Sequence, residues 1–149
     1  MKRVSTALLK PPSTHLINHV LCFLRIGIGI LTIAHGAPKI VGGITMWTIV
    51  GAAMNYIGIH FWTSFWGLLA ACTEFFGGML LVIGFGTRFI SFLLSIMMSV
   101  AFIMHVQKGD PFTKYSFPLT MLIIFVSFIL LGSGEYSLDS YLYKRYIQR

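Results

Sequence analysis

The stretch that decides the fold is Leu16–Ile40, LINHVLCFLRIGIGILTIAHGAPKI. It is an almost unbroken apolar run whose only fixed charges are Arg25 and Lys39. About 20 such residues in a helix cross a hydrocarbon core of about 30 Å, so this run predicts a membrane span. Three more runs of the same kind follow, at about 62–83, 89–106 and 117–131. The turns between the later spans read clearly: Gly84-Phe85-Gly86-Thr87-Arg88, then Lys108-Gly109-Asp110-Pro111, with Gly132-Ser133-Gly134 closing the last. The expected fold is an all-α membrane protein, a four-helix transmembrane bundle.

Composition agrees. Of 149 residues, 56% are hydrophobic and only 10% charged, where a soluble domain carries about 25% charged residues. The net charge of +7 does not point to nucleic acid, because the basic residues flank apolar runs and build no patch between aromatic platforms. They read as topology signals. Four spans place Lys2, Arg3, Lys10, Arg88, Lys144, Arg145 and Arg149 on one side and Lys39, Lys108 and Lys114 on the other. That asymmetry predicts a multi-pass membrane protein with both termini in the cytoplasm. Residues 1–15 read as a basic tail, 16–134 as the membrane domain and 135–149 as a second tail. No cleavable signal is expected, since Pro11-Pro12 follow the basic start and no small-residue cleavage site precedes a soluble domain. Cys22 and Cys72 lie far apart inside spans, without a C-x-x-C, and read as packing residues.

The segment between spans one and two is more than a loop. Met46, Trp47, Val50, Met54, Ile57 and Phe61 recur at helical steps, with no charge from Ile44 to Ile59. Gly51, Asn55 and Gly58 interrupt it, so it is expected as an additional interfacial or re-entrant helix. A fifth span here would put the termini on opposite sides.

Arg25, His35, Glu74 and His105 lie inside the apolar runs. Charge there costs roughly 3 kcal/mol on insertion scales, so such residues face the bundle interior and take partners. Counting about 1.5 Å per residue from each span's end puts Arg25 and Glu74 at one depth, which predicts an ion pair between spans one and two. His35 and His105 match in depth near the outer interface. With Lys39, Trp62 and Trp66 they form a candidate polar pocket for a ligand. Two histidines with no accompanying carboxylate or thiolate at ligand spacing make a poor metal site, so none is expected. Gly29 and Gly36 on span one and Gly67 and Gly78 on span two form small-residue stripes that predict a tight helix seam. Met79, Met97, Met98 and Met104 read as packing residues.

Taken together, these residues resemble the DoxX family of small bacterial membrane proteins. The resemblance is carried by Arg25-Ile26-Gly27, by His35-Gly36-Ala37-Pro38-Lys39 with Gly42-Gly43, and by Glu74-Phe75-Phe76-Gly77-Gly78. It continues through Gly86-Thr87-Arg88, His105 and Pro118 to Gly132-Ser133-Gly134-Glu135-Tyr136-Ser137-Leu138-Asp139. It implies four helices in the cytoplasmic membrane and, in some relatives, a subunit of a thiosulfate:quinone oxidoreductase or of other membrane oxidoreductase complexes.

Three functions were open on this reading. One is an accessory, quinone-interacting component of an oxidoreductase system. It has no intrinsic cofactor, and a bound quinone and a soluble or membrane oxidoreductase subunit are its partners beside the lipid bilayer. The second is a non-catalytic anchor or assembly protein. The third is a proton-coupled small-solute carrier gated by Glu74, which four short spans could form only as a homo-oligomer.

Overall fold

A computed structural model describes residues 11–146; Lys2, Arg3, Lys10 and Arg149 lie outside them. The described chain is helical, with four helices long and apolar enough to cross a membrane. These are α1 (Thr14–Val41), α3 (Thr63–Ile83), α4 (Thr87–Gln107) and α5 (Phe112–Leu131). A short α2 (Gly43–Gly51) and a 3₁₀ helix (Ala52–Ile57) lie between the first two spans, and α6 (Leu138–Tyr146) follows the last. At about 1.5 Å per residue α2 is far too short to cross.

The helix ends follow from local chemistry. Ser13 caps α1 by accepting from the Leu16 N–H at 3.3 Å. Gly42 ends α1, and Gly43 at φ +60° turns the chain into α2. Gly84 at φ +75° closes α3, its N–H reaching the Leu80 carbonyl at 2.8 Å. This is the left-handed terminator that glycine adopts without a Cβ penalty.

In the bundle α1 packs on α3, α3 on α4 and α4 on α5, while α2 covers the start of α3. Helices α1 and α3 run antiparallel at backbone contact. A methyl group at Gly29 would lie 2.8 Å from the Gly78 carbonyl oxygen, and one at Gly36 would lie 2.6 Å from the Phe75 nitrogen. Such closeness strengthens packing where burial from water gives no drive. Gly67 belongs to a different contact from the one expected. A methyl there would fall on the Trp47 carbonyl, so it seats α2 rather than α1.

Leu81, Leu94 and Phe125 are fully buried where three spans meet. The outward faces carry exposed Phe23, Phe89, Ile123 and Leu130, as a bundle solvated by lipid tails requires. One end of the bundle, the terminal face, gathers the start of α1, the α3–α4 turn and the segment leading into α6. The other, the far face, carries α2, the 3₁₀ helix and the α4–α5 turn.

Candidate functional site

Arg25 is 2% exposed, yet no carboxylate among the described residues meets it. Its Nη1 donates to the carbonyls of Leu81 at 2.6 Å and Val82 at 2.9 Å, and its Nη2 donates to the Tyr136 carbonyl at 2.7 Å. The last carbonyls of a helix lack intrahelical partners and carry its negative dipole end. A guanidinium, with five donors in a fixed fork, satisfies both needs. The expected Arg25–Glu74 pair is therefore corrected. The register that puts Gly29 on Gly78 makes Arg25 level with the end of α3. Glu74 lies about eight residues away, roughly 12 Å along the axis. The depth count assumed that both helices begin at the same membrane planes, whereas α1 continues well past the end of α3 on the terminal face.

Glu74, 3% exposed, is paired with Lys39. Nζ donates to Oε1 at 2.6 Å and also to Oε2. Lys39 is in turn positioned by its backbone, whose carbonyl accepts from Trp47 Nε1 at 2.9 Å. The pair stands at the polar end of a cleft of about 360 Å³ between the α2–3₁₀ segment, α3 and α4. Apart from Thr73 its walls are otherwise apolar: Met54, Ile57, Trp66, Leu69, Ile96 and Met97 are among them. Ligand pockets of about 300–1,000 Å³ usually have this make-up, an apolar lining with a few placed polar groups. On its other side Glu74 borders a cavity of about 10 Å³ shared with Thr32, His35 and Phe117, room for about one water.

The outer pocket expected from His35, Lys39, His105, Trp62 and Trp66 is thus taken apart and rebuilt. Lys39 and Trp66 meet in the cleft, with Glu74 as the added member. His35 lies across Glu74 from them, its ring 4.8 Å from that of Phe117. His105 is engaged at the α4 end, where its Nδ1 bonds Asp110 Oδ2 at 2.8 Å. Trp62 is 72% exposed, with φ at 54° where the chain bends into α3, and lines no part of the cleft. Depth alone paired the histidines; in the structure each has a different partner, Phe117 for His35 and Asp110 for His105. No cluster of three or more metal-ligating side chains occurs among the described residues.

Four residues have roles that the sequence reading did not show. Thr73, Leu69 and Met97 form cleft wall, where Met97 read as a packing residue and the other two as span residues. Asp139 clamps the α3–α4 turn: its Oδ1 accepts from Gly86 N at 2.7 Å, its Oδ2 from Thr87 N at 3.1 Å, and its own N–H donates to Gly84 O at 2.9 Å. The available signal was that Gly86-Thr87 opens α4 without a capping side chain of its own.

Four apolar spans that enclose a cation–carboxylate pair at the end of an apolar cleft define a multi-pass membrane protein. The family model named DoxX matches residues 20–106, and the chain belongs to the DoxX family. An uncharacterized protein of Haemophilus influenzae is 29% identical over 133 residues, covering 85% of this chain and 93% of the relative. No solved structure matches the chain.

Proposed function

We propose that this DoxX-family membrane protein is a quinone-interacting accessory component of a membrane oxidoreductase system. We place it in the cytoplasmic membrane with both termini inside, on the distribution of lysine and arginine in the sequence. One observation carries the reading: the apolar cleft ends in the Lys39–Glu74 pair. A quinone has the same division, an apolar body and two carbonyl oxygens that accept hydrogen bonds. Trp66, Leu69, Ile96 and Met97 would hold the body, and Lys39 Nζ would donate to a carbonyl. A bound quinone supplies two-electron, two-proton carrier chemistry. Glu74 holds Lys39 Nζ at the polar end of the cleft through both of its oxygens, and so positions the donor for the quinone carbonyl.

The test is quinone extraction from gently purified protein, with mass spectrometry of wild type, Lys39→Ala and His105→Ala. Stoichiometric quinone in wild type and His105→Ala, lost in Lys39→Ala, is the expected result. Background quinone in all three rejects the reading and leaves an anchoring role.

A further inference from the structure

A second depression, independent of the cleft, opens on the terminal face between the start of α4, the end of α5 and α6. Its volume is about 510 Å³, and Arg88, Phe89, Gly132, Ser133, Ser140 and Tyr143 are among its walls. Arg88 is exposed, and its one hydrogen bond among the described residues is a long one, Nη2 to the Leu130 carbonyl at 3.4 Å. A guanidinium has five donors, so most of its capacity is free for a ligand, and Arg88 lines the depression. Gly132 keeps that room: a methyl there would lie 3.2 Å from Arg88 Nε. Ser140 and Tyr143 add hydroxyls to the rim.

One carboxylate, Asp139, also lines the depression. Its two oxygens accept from the Gly86 and Thr87 N–H groups, whose positive ends at the opening of α4 partly offset its charge. The site stands where α4 begins and α5 ends, at the level where a bilayer changes from headgroup to tail. On the bilayer side it continues into exposed Phe89, Leu130 and Leu131. A donor-lined depression above an apolar wall matches a phosphate headgroup with acyl chains below it.

We infer that Arg88 and the α5–α6 turn form a binding site for an anionic diacyl phospholipid. Basic pockets at helix ends recognise such headgroups, each basic residue near the surface contributing about 1 kcal/mol, or about fivefold in affinity. The glycerol hydroxyls of phosphatidylglycerol would meet Ser140 and Tyr143, and its chains would lie along Phe89 and Leu131.

The experiment compares wild type, Arg88→Ala and Arg145→Ala. Arg145 is a surface control of equal charge change, outside the depression and bonded to the Tyr141 hydroxyl at 2.8 Å. Each protein is titrated in detergent with phosphatidylglycerol, phosphatidylcholine or inorganic phosphate. Bound lipid is counted by native mass spectrometry and stability followed by thermal melting. The expected result is one retained phosphatidylglycerol and a raised Tm in wild type and Arg145→Ala, with affinity about fivefold or more weaker in Arg88→Ala. Equal retention in Arg88→Ala, or equal loss in both variants, overturns the site. Equal stabilisation by phosphatidylcholine overturns the anionic preference, and equal stabilisation by inorganic phosphate overturns the lipid.

Discussion

Lys39 and Glu74 hold opposite charges in a place where neither has another described charge for a partner, so each determines the cost of the other. Removing one member of a buried pair leaves a desolvated charge. Lys39 keeps a quarter of its side-chain exposure, which sets the loss for Glu74→Ala at about 3 kcal/mol, the low end for buried pairs. Lys39→Glu and Glu74→Lys should each lower the melting temperature in detergent, and the double reversal should recover much of the loss. The same experiment with Arg25 and Glu74 should show no recovery, because Arg25 binds carbonyls and a glutamate there meets the negative end of α3. Recovery in the second pair and not the first would sink this assignment. At this scale the sequence showed which residues needed partners, since intramembrane charge is costly wherever it lies. It did not show which partner, because that depends on a helix register that no single residue encodes. Arg25 illustrates the gap: its partners are backbone carbonyls, which every sequence contains and none advertises.

Elements were more legible than contacts. Apolar run length marked all four spans, and helical spacing marked the segment that became α2 and the 3₁₀ helix. Small-residue spacing marked Gly29, Gly36 and Gly78 as close-packing positions, but assigned Gly67 to α1 when the neighbouring backbone is Trp47 of α2. A stripe shows that something approaches, not what. The α4–α5 turn carries a testable consequence of its own. The hydrogen bond from His105, and then that from Lys114 at 3.1 Å, hold the Asp110 carboxyl below its ordinary value of 3.8. A carboxyl depressed by folding contributes stability above its unfolded value, and that contribution disappears as pH falls through the folded value. Hydrogen-exchange protection of the Lys108, Gly109, Asp110 and Phe112 amides, corrected for intrinsic rates, should therefore hold at neutral pH and decline below about pH 3.8. In Asp110→Asn the protection should be low already at neutral pH and should change little with acid. A wild-type-like acid profile in that variant would show that the turn is held by something else.

On the scale of the whole molecule, polar residues of the terminal face tie together elements far apart in sequence. Arg25 of α1 joins the end of α3 to the Tyr136 carbonyl, and Asp139 of α6 joins Gly84 to the first N–H groups of α4. Asn18 adds a weaker link, accepting from Glu135 N at 3.4 Å. The closing Gly132–Asp139 motif is thus a clasp over the α3–α4 turn, which explains why a chain that has finished its last span turns back on the bundle. Both charged residues act on the same few residues, 81–87, so their effects should not be independent. Asp139→Ala removes a capping carboxylate, a change of about 1 kcal/mol. Arg25→Met removes three charge-assisted bonds while keeping much of the side chain's volume. A double-mutant cycle read by thermal or denaturant unfolding should give a coupling energy of about 0.5–3 kcal/mol, the range for residues sharing one network. Once either tie is lost, the turn relaxes and the other tie holds less. Strict additivity would mean that the turn is rigid without its clasp, and that Arg25 and Asp139 merely happen to border it.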